Sequence, residues 1–191
     1  QWSSRVIEVV QRGESGGPRG GELVGTLEDV RLKARFKLAE RLDEQGKFEE
    51  AAEAYVRLVD QNPESDVADK ALFNAAVAFE KVNRFDTASD IYQRIFDDYP
   101  SSKLAPRALF RVGINAEKGF DFESAITAYN RLVQRYPDSE NRADALYNVA
   151  VVLEHMQRYR EAADAYRRYA RTFEDRPDAG EVFFRSGLVY G

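Results

Sequence analysis

Pairs of basic and amide side chains recur along this sequence at a fixed interval. The two members of a pair lie four residues apart, which places both on the same face of a helix. Successive pairs follow at intervals of 37 residues: Lys33 with Lys37, Lys70 with Asn74, and Arg107 with Arg111. Because ammonium, guanidinium and amide groups donate hydrogen bonds to carboxylates, the pattern indicates a basic track for an acidic or C-terminal peptide segment. The alternative is an ordinary solvated helix face.

Aromatic residues recur at the same interval, three positions after the first member of each of the three pairs and at the two equivalent positions that follow. These residues are Phe36, Phe73, Phe110, Tyr147 and Phe184. They could form the apolar floor of a groove in which a partner docks. Packing between successive units is the favoured explanation, because residues at helical spacing are usually core. The candidate partner-binding residues are Lys33, Lys37, Lys70, Phe73, Asn74, Arg107, Phe110, Arg111, Tyr147 and Asn148.

The residue types give little support for catalysis. His155 is the only histidine, and the chain has no cysteine, which excludes disulfides and thiol chemistry. The acidic pairs Asp97–Asp98 and Glu49–Glu50 are adjacent in sequence, so their members do not face each other on a helix. We therefore predict a protein that is not an enzyme and that has no cofactor and no metal site.

Net charge and hydrophobicity restrict the classes of partner. The formal net charge of −5 disfavours a nucleic-acid partner. No apolar stretch approaches the ~20 residues that a membrane-spanning helix needs. The sequence begins at Gln1 without a methionine and stops within a helical pattern at Gly191, so we expect a fragment or a mature form.

The same interval of 37 residues governs the apolar positions. The pattern aromatic-x-x-Ala-x-x-x-Tyr begins at Phe48, Phe85, Phe122 and Tyr159. A fixed period of this length is typical of a solenoid of stacked units, in which each unit contacts its neighbours. Prolines close the units at Pro63, Pro100 and Pro137, because a proline cannot continue a helix.

Each unit is predicted to contain two antiparallel helices joined by a short turn. The first helices are expected at about 26–44, 67–82, 104–118 and 141–156, and the second helices at about 48–61, 86–99, 122–136 and 159–173. A fifth first helix begins near Ala179. The units cover about 32–68, 69–105, 106–142 and 143–179, with a partial fifth at 180–191. The fold class is all-α, a right-handed α-solenoid of antiparallel helix pairs.

Small residues recur where the paired helices must approach closely. They are Ala39, Ala76, Gly113, Ala150 and Gly187 in the first helices and Ala51, Ala88, Ala125 and Ala162 in the second. Together with Tyr92 and the closing Pro100, the small residues of the second unit resemble the tetratricopeptide repeat family. The other units match likewise except at Glu174, where the proline is missing. The period of 37 residues exceeds the usual 34.

The resemblance implies a function. First helices in this family line a concave groove that binds peptide segments, and the lysine, asparagine and arginine pairs resemble the carboxylate clamp of some members. Lys37 departs from that clamp, which has asparagine there. We therefore expect a non-enzymatic scaffold for a peptide or partner protein. The alternative is an accessory repeat module of a larger enzyme or secretion machine.

The endings of the units suggest a cellular location. Tyr-Pro-x-Ser endings and Ala-Leu-Phe or Ala-Leu-Tyr openings resemble the bacterial cell-envelope subgroup of the family, which includes the outer-membrane assembly lipoprotein and the Tol-Pal-associated coordinators. The resemblance implies the periplasm or cell envelope, and the cytoplasm is the alternative.

Two surface features complete the expectations. Self-association is predicted if the last helix leaves Phe183, Phe184 and Leu188 uncovered. The second helices carry Arg57, Arg94, Arg131 and Arg168 at intervals of 37 residues. An acidic residue stands four positions before each of these arginines, except before Arg131, and this spacing predicts local helix-surface ion pairs.

The N-terminal segment, residues 1–25, lies outside the repeat. Residues 1–12 could form a strand or the end of a helix, and Gly13–Gly21 are predicted to form a flexible linker or long loop. The first helix is expected to begin near Thr26, where Thr26 and Asp29 resemble a capping box.

Overall fold

A computed structural model describes residues 18–190 as a row of nine α-helices. They are α1 (Pro18–Glu44), α2 (Phe48–Gln61), α3 (Ala68–Lys81), α4 (Phe85–Asp98), α5 (Ala105–Lys118), α6 (Phe122–Arg135), α7 (Arg142–His155), α8 (Tyr159–Thr172) and α9 (Ala179–Tyr190). Residues 18–190 contain no strand. Each helix packs against the helices before and after it in the chain. The prediction of an all-α solenoid of helix pairs is confirmed.

The start of α1 corrects the sequence-based boundary. The helix begins at Pro18, eight residues before Thr26, so Pro18–Gly21 belong to a helix and not to a loop. Proline suits the first position of a helix, because its φ is already helical and that position needs no backbone N–H. The segments expected at residues 1–12 and 13–17 lie outside the described residues.

The turn inside each unit contains one residue in the left-handed conformation. Gly46 has a φ of 77°, and Asn83, Phe120 and Gln157, which follow at intervals of 37 residues, have φ values of 60°, 60° and 59°. The backbone N–H of the next residue reaches back to close the first helix, as from Arg84 to the carbonyl of Phe79 at 2.9 Å. This bond and the left-handed residue together form a Schellman-type helix end.

Hydrogen bonds to the proline loops connect one unit to the next. The Tyr99 hydroxyl donates to the Pro63 carbonyl at 2.8 Å, and the Tyr136 hydroxyl donates to the Pro100 carbonyl at 3.4 Å. The serine two positions after each proline accepts a hydrogen bond from a backbone N–H further along its own loop. The Tyr-Pro-x-Ser endings therefore hold the loops between helix pairs.

The core of each unit is a tyrosine enclosed between two small-residue positions. The second-helix alanines Ala51, Ala88, Ala125 and Ala162 are fully buried, and the tyrosines four residues later, Tyr55, Tyr92, Tyr129 and Tyr166, are at most 2% exposed. On the first helix, a Cβ added to Gly113 would lie 2.3 Å from Cε1 of Tyr129. The small residues therefore leave the space that the tyrosine ring fills.

The third unit contains a buried polar side chain where its neighbours have apolar ones. The amide group of Asn115 is buried, yet among the described residues neither of its polar atoms has a hydrogen-bond partner. The positions 37 residues away are occupied by Ala78 and Val152. The buried apolar residues form two clusters that meet along α5, with Ala108 in one and Leu109 in the other, and Tyr136 packs against both. An unpaired buried amide costs about 1–3 kcal/mol.

The last helix exposes apolar side chains that the other first helices bury. Phe183 is 53% exposed, whereas Leu109 and Leu146, which precede it by 74 and 37 residues, are 1% exposed. Phe184 and Leu188 are 68% and 67% exposed. Within residues 18–190, α9 has no following helix to cover this side.

A pair of glycine substitutions tests the small-residue position. We expect Gly113→Ala to lower the free energy of unfolding by about 1–3 kcal/mol, because the new methyl group overpacks against Tyr129. Gly187→Ala is the matched control. A Cβ there meets no atom within 4 Å, so the change should be neutral or stabilising by up to about 1 kcal/mol through helix propensity. Urea unfolding measures both, and equal stability of the two variants would contradict the packing assignment.

Candidate binding face

The first helices lie side by side and share one exposed face. The Lys70 ammonium on α3 lies 5.3 Å from the ring centroid of Phe36 on α1, and the Arg107 guanidinium on α5 lies 5.0 Å from that of Phe73 on α3. Lys33, Lys70 and Arg107 are all exposed. The structure therefore aligns these predicted basic residues, one per unit, in what we call the outer column. The outer column continues with Asp144 and Glu181 at the same interval.

The aromatic residues of the first helices belong largely to the packing within each unit. Phe36 and Phe73 are only 8% and 7% exposed. Their rings meet the second-helix tyrosines edge-on, with centroids 5.2 Å apart in both cases. Phe110 and Tyr147 make the corresponding contacts at 5.6 and 5.7 Å but remain partly exposed. Of these four rings, only Phe110 and Tyr147 can contribute apolar surface to a partner, and Phe184 on the last helix is 68% exposed.

The second members of the predicted pairs mostly serve contacts between units. We call these residues the inner column: Lys37, Asn74, Arg111, Asn148 and Arg185. Asn74 donates to the Tyr55 hydroxyl at 3.4 Å, and Arg111 binds the Glu80 carboxylate, with Nε 3.1 Å from Oε1. Arg185 likewise binds Glu154 at 3.1 Å. Lys37 alone in this set is exposed without such a contact among the described residues.

A carboxylate near the end of the first helix accepts the tyrosine hydroxyl of the same unit. Tyr92 donates to Glu80 at 3.4 Å, Tyr129 to Glu117 at 2.5 Å, and Tyr166 to Glu154 at 2.8 Å. The sequence analysis missed these glutamates, although their spacing of 37 residues was readable. In the first unit Asp43 takes the position and binds Lys81 at 2.8 Å.

This arrangement shifts the ionisation of the buried groups. Burial raises the pKa of Tyr55 to about 12. Burial also raises the pKa values of Tyr92, Tyr129 and Tyr166, and the neighbouring glutamates add to the effect because a negative charge opposes tyrosinate. The hydrogen bond to Glu80 raises the pKa of Arg111. These residues form a structural network, and their chemistry does not resemble an acid–base pair for catalysis.

The prediction of local ion pairs on the second helices is confirmed for Arg57 and wrong for Arg94 and Arg168. Arg57 pairs with Glu53, four residues earlier, at 3.1 Å. Arg94 instead reaches Asp60 of the preceding unit at 2.8 Å. Arg131 lies over the Phe96 ring at 4.5 Å, and Asp164 pairs with Arg167 rather than Arg168. For Arg94 and Arg131, a neighbouring unit offers a closer partner than their own helix does.

Metal-ligating side chains and the one histidine are spread apart in the part of the chain that the structure describes. Within residues 18–190, no group of three or more His, Asp or Glu side chains is placed to hold a metal ion. His155 is exposed at the end of α7. In the described part of the chain, no helix is both long and apolar enough to cross a membrane.

Comparison with known families agrees with this geometry. Two family models, both described as tetratricopeptide repeat, match residues 36–103 and residues 107–139 and 144–175. The chain belongs to the tetratricopeptide repeat family. Repeats of this family generally mediate protein–protein interactions and form scaffolds that are typically non-catalytic. A search of curated proteins found no match.

Solved structures share the repeat fold at low sequence identity. The MamA protein has a TM-score of 0.58 and 15% identity, over 83% of this chain and 87% of its own. BtubC (BKLC) from P. vanneervenii has a TM-score of 0.59 and 17% identity, over 98% of this chain and 80% of its own. At such identities the likeness shows the fold alone.

The buried tyrosines predict a specific pH dependence. Their pKa values are raised above 10.0 in the folded state, so the folded protein holds these protons more tightly than the unfolded chain. We expect their stabilising contribution to be complete below pH 10 and to be lost as the pH rises through 10 towards 12 and beyond. Urea unfolding across this range, followed together with tyrosinate absorbance, measures the loss.

A tyrosine variant is the control for that pH series. Tyr129→Phe removes one of the titrating groups, so the loss of stability with rising pH should become shallower, whatever its effect on stability at neutral pH. Titration of all tyrosines near pH 10 without unfolding would contradict the buried network.

Proposed function

We propose that this protein is a non-enzymatic scaffold that binds a peptide segment of a partner protein along the exposed face of its first helices. The observation that carries the proposal is the row formed by Lys33, Lys70 and Arg107, one exposed cation in each of three successive units. Among the described residues, none of the three has an ion-pair partner. They are therefore free to meet an acidic segment or a C-terminal carboxylate.

The contacts of this row suit recognition. Lys70 and Arg107 lie over the rings of Phe36 and Phe73, and such cation–π contacts restrict where a charged group lies. A cation that is already positioned loses less conformational entropy when a carboxylate binds. Lys37 adds a fourth exposed cation in the first unit. The inner column of the same face contributes Asn74, Arg111 and Asn148.

The wider context of the scaffold is also part of the proposal. The period of 37 residues and the Tyr-Pro-x-Ser loops favour an assembly in the bacterial cell envelope. An accessory module within a larger enzyme or secretion machine is the alternative. The complete reading frame, together with fractionation of the source cells, distinguishes these contexts, and recovery in the cytoplasmic fraction would reject the envelope.

Charge reversal of the basic row tests the binding face. We expect Lys33→Glu/Lys70→Glu/Arg107→Glu to weaken binding of a synthetic acidic peptide at least tenfold, because each variant side chain repels the carboxylates that it previously attracted. Fluorescence anisotropy at low and at moderate salt provides the measurement. The effect should shrink as salt increases, since exposed charges are screened.

The control carries charge reversals away from this face. Arg160→Glu and Arg171→Glu alter exposed residues of α8, a second helix, and together should leave the affinity nearly unchanged. Equal affinities of wild type and the triple variant at low salt would reject the basic row as the binding site. Circular dichroism verifies that each variant remains helical.

Self-association through α9 is a second candidate, favoured by the exposure of Phe183, Phe184 and Leu188. An exposed apolar surface of this kind gains free energy when a second copy covers it. We expect sedimentation equilibrium to show a concentration-dependent dimer, and Phe184→Ser/Leu188→Glu to abolish it. Val30→Ser is the control, because Val30 is 59% exposed on α1 instead. A monomer at every concentration would reject this candidate.

A further inference from the structure

The outer column changes sign along the array. Its first three members are Lys33, Lys70 and Arg107, and its last two are Asp144 and Glu181. All five residues are exposed. The face of the first helices therefore presents cations in the first three units and carboxylates in the last two. Exposed charges act over about 8–10 Å at ordinary salt. A charge at either end of a bound segment therefore interacts mainly with the outer-column charges nearest to it.

The aromatic rings beneath the outer column also differ between the basic end and the acidic end of the face. Cations cover Phe36 and Phe73, which are nearly buried. At the next positions the outer column offers carboxylates, and the face of an aromatic ring does not attract an anion, since its π cloud is negative. Phe110 and Tyr147 are correspondingly left partly exposed. Ile114 and Val151, one turn further along the same helices, are partly exposed as well.

Paired charges elsewhere on the face do not cancel this polarity. Arg185, at the acidic end, is bound to Glu154, and Arg111 is bound to Glu80. At the basic end, the exposed Lys37 adds to the positive charge, and Glu40, three residues later, is only partly exposed. Of the two columns, the outer one therefore carries the change of sign along the face.

We propose that the first-helix face is bipolar and selects a partner segment with acidic residues at one end, apolar side chains in the middle and basic residues at the other end. This inference rests on the proposed function and specifies its partner. Acidic residues lie against Lys33, Lys70 and Arg107, and basic residues lie against Asp144 and Glu181. The apolar middle packs on Phe110 and Tyr147, and the segment binds in one orientation.

Synthetic peptides provide the test. Two bipolar peptides have the same acidic block, Leu-Phe-Leu centre and basic block, but opposite order along the chain, and a third peptide has acidic blocks at both ends. Fluorescence anisotropy at about 50 mM salt, where exposed charges act strongly, measures their affinities. We expect one bipolar peptide to bind wild type about tenfold more tightly than the all-acidic peptide.

Reversal of the acidic end should invert that preference. In Asp144→Lys/Glu181→Lys, the all-acidic peptide should become the tighter ligand by about tenfold. Asp90→Lys/Asp97→Lys is the matched control, since it changes the net charge equally at two exposed positions on α4, a second helix. This control should keep the wild-type order of affinities.

The outcomes separate this inference from the proposed function. Equal affinities of the bipolar and all-acidic peptides for wild type, unchanged in Asp144→Lys/Glu181→Lys, would overturn the bipolar face. The proposed function would survive that result if Lys33→Glu/Lys70→Glu/Arg107→Glu still lost the acidic peptide. Failure of wild type to bind any of the three peptides would overturn both.

Discussion

The burial of one tyrosine between the two helices of each unit is the contact on which the array depends. The ring needs a small residue opposite it, as the 2.3 Å approach of a Gly113 Cβ to Tyr129 shows, and an aromatic edge beside it. Its hydroxyl, removed from water, needs a hydrogen-bond partner, which Glu80, Glu117 and Glu154 supply in three of the units. Each of these contacts requires a particular residue type. The small residue, the tyrosine and the carboxylate therefore recur together every 37 residues.

The glutamate that accepts the tyrosine hydroxyl creates a demand of its own. Glu80 has a side chain only 5% exposed, and a carboxylate this far from water must be paired. Arg111, from the next first helix, supplies the positive charge, and Arg185 does the same for Glu154. The polar contacts of one unit are thus completed by the unit that follows. The inner-column cations Arg111 and Arg185 therefore hold neighbouring units together.

The repeat made most of the fold predictable, and its limits have physical causes. Helix pairs, turns at Gly46 and Asn83 and the buried tyrosines all followed from the spacing, because helical period and helix breakers act locally. Spacing also placed Lys70 and Asn74 on one face. It could not show that Arg111 binds Glu80 or that Arg94 binds Asp60, since those partners lie 31 and 34 residues away. A long cationic side chain selects its partner from the geometry of neighbouring units.

The third unit contains a residue that the repeat predicts and others that depart from it. Gly113 follows the small-residue pattern, but Asn115 places an unpaired amide where the units on either side have Ala78 and Val152. Ala116 stands where those units have Phe79 and Leu153, and Phe120 takes a left-handed conformation that disfavours a bulky side chain. Each departure removes packing or adds strain.

The position of this unit gives those departures a consequence. The stability of a solenoid is approximately the sum of the stabilities of its units and of the contacts between neighbours. A unit with a buried unpaired amide is therefore expected to open before the others. Here it lies where the two apolar clusters meet and where the outer column passes from Arg107 to Asp144. Bending at α5 would alter the distance between the basic and acidic ends of the face while each half kept its own core. For a segment that contacts both ends, as proposed above, the fit would depend on the bend at α5.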